Sequence, residues 1–254
     1  MSANERAPSR FPARAVPPAV MAPARPASQA RAAPTAPAGL GLDSAAVRQA
    51  MVQRLASLPG IESVVLAALA EVPRHAFVDP ALANQAYQDT SLPIGLGQTI
   101  SKPSVVARML SLLLQGRAEP PAKALEIGTG CGYQAALLAR LCGTVVSVER
   151  LKGLHDKART LLRPLALRNL HLVLADGTQG YPSYAPYDVI VAAAAGPEVP
   201  AAWLAQLAPG GTLVAPVQVA VGKHVLRLVK RTRQGWQQTD LEEVRFVPLK
   251  FGVI

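Results

Sequence analysis

Downstream of residue 120 the apolar positions fall into short runs separated by helical spacings. Five runs read as strands: 123–127, 144–149, 170–175, 187–193 and 212–217. Each is brief, rich in Val, Ile, Leu or Ala, and bounded by turn residues, as expected of strands buried on both faces. Between them, 135–141, 152–166 and 201–207 carry apolar residues at helical intervals, and Gly210-Gly211 is expected to end the last helix. The runs 225–230 and 244–247 read as a closing antiparallel pair. Strands alternating with helices predict an α/β fold. The sheet is doubly wound (Rossmann-like) and mostly parallel, with helices on both faces and an antiparallel C-terminal strand pair.

Upstream, 42–56 and 61–70 read as helices, separated by Pro59-Gly60. Asp43 or Ser44 is placed to cap the first, and Val64, Val65, Ala68 and Leu69 give the second an apolar face. Residues 72–80 read as irregular and 92–103 as turn-rich. A strongly apolar helix follows, with Val105, Val106, Met109, Leu110 and Leu113 expected against the sheet and Ser101 or Ser104 available to cap it.

Composition changes the picture mainly at the N terminus. Residues 1–41 are rich in Ala, Pro and Arg, and proline recurs too often for a helix, so this stretch is expected to be a disordered tail. It has no continuous apolar segment of the secretory kind. The domain proper is expected over 42–254, with 42–118 helical and substrate-facing and 119–254 forming the cofactor-binding sheet. Of the net charge of +10, five arginines against one glutamate in the first forty residues supply +4, leaving +6 spread without a block. Charge alone admits nucleic acid, but a basic enzyme is the plainer reading. Cys131 and Cys142 have no metal-ligand spacing, so neither a metal site nor a disulfide framework is expected, and the compartment reads as reducing. No apolar run is long enough to span a membrane.

The candidate chemistry centres on Ala124-Leu-Glu-Ile-Gly-Thr-Gly-Cys-Gly-Tyr-Gln134. Gly128, Gly130 and Gly132 follow a strand and precede a helix, a loop that brings backbone N–H groups close to a ligand. Such a loop accepts NAD or S-adenosylmethionine alike, and Glu149 at the end of the next strand suits the ribose hydroxyls of either. Glu126 and Asp176-Gly177 discriminate. A carboxylate beside the loop repels a pyrophosphate and attracts a cation such as a methionine amino group, and Asp176 can accept from an adenine amine. Three acids at successive strand ends favour S-adenosylmethionine.

These residues resemble the protein-L-isoaspartate O-methyltransferase family of class I methyltransferases. The resemblance rests on residues 125–134, Ser147-Val-Glu-Arg150 and Ala175-Asp-Gly177. It rests most specifically on Leu92-Pro-Ile-Gly-Leu-Gly-Gln-Thr-Ile-Ser-Lys-Pro103, with Val72-Pro-Arg-His-Ala-Phe-Val78, Ala208-Pro-Gly-Gly211 and Arg245-Phe-Val-Pro-Leu249 also similar. It implies methyl transfer to the free α-carboxylate of L-isoaspartyl residues in damaged proteins or peptides, after which the ester cyclises to a succinimide. It also implies a cytoplasmic enzyme, read here as a monomer without a specific nucleic-acid or membrane partner. Ser101 resembles the family's active-site serine, with Gln98 and Thr99 in the same turn forming the cofactor–substrate wall. His75 reads as a packed turn residue and Cys131 as a small loop residue. Two departures stand out. Ala193 lacks a hydroxyl often found there, and Lys102 replaces the family's usual Gln or Ala. The competing readings are a methyltransferase for another substrate and an inactive binding protein. The former, if it acted on exocyclic amines, would carry an Asn/Asp-Pro-Pro-aromatic turn where this chain has Ala-Ala-Gly-Pro-Glu198.

Overall fold

The computed structural model describes residues 45–254. The expected tail over 1–41 and the caps at Asp43 and Ser44 therefore lie outside the described residues. Helices α1 (Ala45–Ala56) and α2 (Ser63–Glu71) lead into a 3-10 turn at Arg74–Phe77. The turn-rich stretch forms a hairpin, β1 (Leu92–Gly95) with β2 (Gln98–Ile100), running into α3 (Pro103–Leu114). Gly95, Leu96 and Gly97 all have positive φ at its tip, so a glycine on each side lets Leu96 be the only side chain forced into that conformation. Neither Ser101 nor Ser104 caps α3. Lys102 holds the N-cap position without a side-chain bond, and Asp89 accepts from the Ser104 N–H (2.8 Å) and hydroxyl (2.7 Å) instead.

The sheet then forms in order: β3 (Lys123–Ile127), α4 (Tyr133–Leu141), β4 (Thr144–Glu149), α5 (Lys152–Leu162), β5 (Leu170–Leu174), β6 (Tyr187–Ala192), α6 (Ala201–Gln206), β7 (Leu207–Ala220), β8 (Lys223–Thr232) and β9 (Gly235–Val244). The strand order is β5-β4-β3-β6-β7-β8-β9. Strands β3 to β7 pair in parallel, and β8 and β9 pair antiparallel. Alternation along β6 sends Val189 and Val191 to one core and Ile190 and Ala192 to the other, so both faces are covered. Helices α1 to α5 fill the larger core, and Trp203 of α6 fills the second. Among the described residues no helix is long and apolar enough to cross a membrane.

Several boundaries differ from expectation: α5 ends at Leu162, short of residue 166, and β7 begins at Leu207, ahead of residue 212. Gly210-Gly211 does not end α6; the chain turns at Leu207 and both glycines lie inside β7, where a Cβ on Gly211 would meet the Ala208 carbonyl at 2.7 Å. The last strand is residues 235–244, not 244–247. It is an exposed edge strand with polar residues at most positions, so no apolar run marks it. Residues after Val244 run instead along the end of the sheet, where the Val247 carbonyl accepts from Ala195 N–H at 2.8 Å.

Candidate active site

Strand succession reverses between β3 and β6: β4 and β5 lie on one side and β7 on the other. Crevices open at such a switch point, and the glycine loop 128–132 leaves β3 there. Gly132 N-caps α4 with φ of 91°, and a Cβ on it would lie 2.7 Å from Leu162 Cδ1. Backbone freedom and close packing against α5 thus both require glycine. The loop amides do not point at a ligand as expected. Gly128 and Thr129 donate to the Val148 carbonyl (2.8 and 3.2 Å), Gly132 donates to the Thr129 carbonyl (2.8 Å), and Gly130 donates to Glu149 Oε2 (2.9 Å). A pyrophosphate would meet an acid here and few free amides.

A cavity lies outside this loop. Gln98, Thr99, Gly128, Gly130, Glu149 and Gly177 all line it, with Ile94, Ile127, Val148, Leu151, Leu154, Ala193 and Leu249 giving apolar walls. Glu149 is buried at its edge, and its Oε1 accepts from the N–H groups of Arg150 (2.9 Å) and Leu151 (3.0 Å). The acid is anchored by its own strand's continuation and not by a lysine or arginine side chain.

Glu126, Gly132 and Asp176 do not line that cavity. Glu126 is 0% exposed. Its Oε2 accepts from Ser147 Oγ, which also pairs with Thr129 Oγ1 at 2.6 Å, while Oε1 has no hydrogen-bond partner. Burial pushes its carboxyl up to about 8, against the pull of Ser147 and the nearby Gln134 amide, and the Glu149 charge adds to the rise. Asp176 accepts from Thr178 N–H and hydroxyl (2.9 and 2.7 Å) and from Gly252 N–H (2.8 Å). Burial alone would raise its carboxyl, but the donors Gly252 and Thr178 and the charge of Arg150 outweigh it and hold the group below the ordinary range.

Ser101 follows β2. It lines both a small inner cleft, shared with Gly128, Gly130, Tyr133 and Gln134, and an outer groove, shared with Ser91, Lys102, Val105 and Arg245. Thr99 lines the outer groove, the inner cleft and the cavity beside Glu149 alike. The hairpin is thus a wall with the glycine loop on one side and the surface on the other. Lys157 latches it to α5 by donating to the Ile94 carbonyl (2.7 Å), and Leu96 abuts Gly153, where a Cβ would lie 3.1 Å away.

The fold brings up residues that sequence reasoning passed over. Arg74, 0% exposed, donates from Nε to the Ala86 carbonyl and from Nη2 to the Ser101 carbonyl, both at 2.7 Å, and lies over the Tyr133 ring. It ties Ser101 to the first turn of α4. Its place in the family-like stretch Val72-Pro-Arg-His-Ala-Phe-Val78 was the available signal. Residues 250–254 also close on the site: Arg150 Nε donates to the Gly252 carbonyl, and Lys152 N–H to Ile254. Nothing in the sequence pattern marks these contacts. His75 packs as expected, with Nδ1 2.7 Å from Tyr87 Oη. Burial pushes the Cys131 thiol up to about 11, far from the range of a reactive thiolate.

A glycine loop at the switch point of a covered parallel sheet, with carboxylates at three strand ends, is the architecture of a class I methyltransferase. The family model for protein-L-isoaspartate(D-aspartate) O-methyltransferase matches residues 46–253, and the chain belongs to that family. A protein-L-isoaspartate O-methyltransferase of Methylibium petroleiphilum is 54% identical over 270 residues, covering 99% of each chain. One from Burkholderia lata is 54% identical over 222 residues, 86% of this chain and 71% of its own. A solved protein-L-isoaspartate O-methyltransferase matches with a TM-score of 0.71 at 27% identity, covering 81% of this chain and 67% of its own. A Plasmodium falciparum chain described as such an enzyme, solved with S-adenosyl-L-homocysteine, matches with a TM-score of 0.69 at 23% identity, over 80% of this chain and 98% of its own, a likeness of fold.

Proposed function

We propose that this chain transfers a methyl group from S-adenosylmethionine to the free α-carboxylate of L-isoaspartyl residues in damaged proteins or peptides. The observation that carries the reading is the shared wall: Thr99 and Ser101 face the glycine-loop side and an open surface groove at once. A residue on another protein can therefore approach from the groove while the donor stays inside.

The residues fit the donor. Glu149 stands ready for two ribose hydroxyls and Gly177 for the adenine edge, while Asp176 beside Gly177 and the sealed Glu126 act from behind the lining. When bound, the sulfonium supplies an electrophilic methyl whose bonding electrons remain on sulfur as a carboxylate oxygen takes the carbon. That oxygen is already ionised at neutral pH, so the chain needs no general base. Its task is to hold and to dry. Ser101 Oγ, which makes no hydrogen bond among the described residues, donates to one carboxylate oxygen and aims the other inward. Ile94, Ile127, Val148 and Ala193 keep water from the reacting pair, whose opposite charges cancel as they react. Arg74 fixes the Ser101 backbone but not its hydroxyl, so it is a positioning residue.

We assign the enzyme to the cytoplasm as a monomer acting on many proteins, with no specific nucleic-acid or membrane partner. Cys131 and Cys142, both free and buried, suit a reducing compartment, and the open groove suits large substrates. The test uses labelled S-adenosylmethionine and paired peptides that differ only in Asp against L-isoAsp. Base-labile label is expected in the isoaspartyl peptide alone. Equal labelling of both, or of neither, overturns the reading.

A further inference from the structure

We propose that the groove outside Ser101 selects isoaspartyl sites with acidic neighbours, through Lys102 and Arg245. This rests on the carboxyl-methylation reading above and names the substrates that reading favours. Lys102 is the residue after Ser101, exposed at the N-cap position of α3. Arg245 is exposed one residue beyond β9, and both line the groove that Ser101 lines. The two cations arrive from elements far apart in sequence, so only the fold shows that they share one groove.

Their neighbours make the pair unusual. Three nearby cations are matched: Arg108 with Glu242 at 2.9 Å, Lys223 with Glu243 at 3.7 Å and Arg227 with Asp240 at 2.6 Å. Lys102 and Arg245 have no ion pair or side-chain hydrogen bond among the described residues. The acid that lines the groove, Glu243, is the one already held by Lys223. Asp89 does not line it and is committed to Ser104. The groove thus presents two uncompensated positive charges beside a residue that receives a carboxylate.

An exposed charge pair in water is worth little by itself and is screened within about 10 Å at 0.1 M salt. The effect is therefore on recognition and salt dependence, while the methyl-transfer step keeps its rate. An acidic residue close to the isoaspartyl site should lower KM about three- to tenfold relative to a lysine there, with kcat unchanged, from two contacts of that modest size.

The experiment compares isoaspartyl peptides carrying Glu, Gln or Lys at the flanking positions, with the matching Asp peptides as controls. Initial rates are taken with the full chain at about 20 mM and 300 mM salt, bracketing the screening range. The expected result is a KM order of Glu below Gln below Lys, compressed at high salt and lost in the double variant Lys102→Gln/Arg245→Gln. A KM independent of flanking charge overturns this inference and leaves the methylation reading standing. So does a charge preference that survives in the double variant, because it then comes from the field of the whole basic protein. Absence of transfer to every isoaspartyl peptide overturns both.

Discussion

The two sides of the hairpin wall are built in different ways. The cofactor side is made from successive ends of one parallel sheet: the loop after β3, Glu149 ending β4 and Asp176 beyond β5. Its loop is held by backbone bonds at the strand ends, such as Gly128 N–H on the Val148 carbonyl, and its acids accept from backbone N–H groups, Gly130 on Glu149 and Gly252 on Asp176. The substrate side is an assembly of segments without a common sheet. Arg74 comes from a 3-10 turn, Ser101 from the end of a hairpin, and Arg245 from chain that has left the sheet. One side is fixed mainly by adjacent strand ends, the other by a few long-range side-chain bonds without a common sheet. Damage to each should therefore show in a different constant.

The largest effect is expected at Glu149→Ala. On the proposed reading it removes the acceptor for two hydroxyls, and it leaves the Gly130, Arg150 and Leu151 N–H groups without theirs. Two hydrogen bonds to a charged group, at about 1.5 kcal/mol each, predict roughly 150-fold weaker binding of S-adenosylhomocysteine. Calorimetry measures it, and near-wild-type affinity would show that the acid only braces the loop. Next in size is Ser101→Ala. Losing one hydrogen bond to a carboxylate should cut kcat about ten- to a hundredfold with the S-adenosylhomocysteine affinity unchanged. If the affinity falls in step with kcat, the hairpin is not the independent wall described above.

The smallest effect sharpens the boundary between the sides. The Glu126 carboxyl, pushed up to about 8, is neutral at pH 7 in the free protein. On the proposed reading the ligand's ammonium lies near this sealed carboxyl and favours its ionised form, so binding releases a proton. Affinity for S-adenosylhomocysteine should then rise up to about tenfold per pH unit below 8 and level off above it. The same raised value means that the folded protein holds a proton the unfolded chain has lost. Glu126's contribution to stability therefore falls as pH rises from 4.5 towards 8. Glu126→Gln should flatten both slopes, read by calorimetry and by thermal melts. Unflattened slopes would place the titrating group elsewhere.

The sheet was legible because buried parallel strands are near-continuous apolar runs, and acids at their ends stand out against them. Strand β9 was not, since an edge strand with Gln237, Gln238, Asp240 and Glu242 facing water carries no such run. Residues 92–103 were recognisable by resemblance, yet their hairpin and its latch to Lys157 were not, because turn residues alone leave register open.

The sequence by itself determined the fold class, the glycine loop and the three strand-end acids, because period and punctuation are local properties of a chain. Tertiary structure alone decided that Glu126 is sealed beneath the loop with one bare oxygen. It decided that the loop's amides turn inward, that Arg74 reaches Ser101, and that Lys102 meets Arg245 across one groove. Burial and long-range contact depend on how distant segments pack, and no local pattern encodes that.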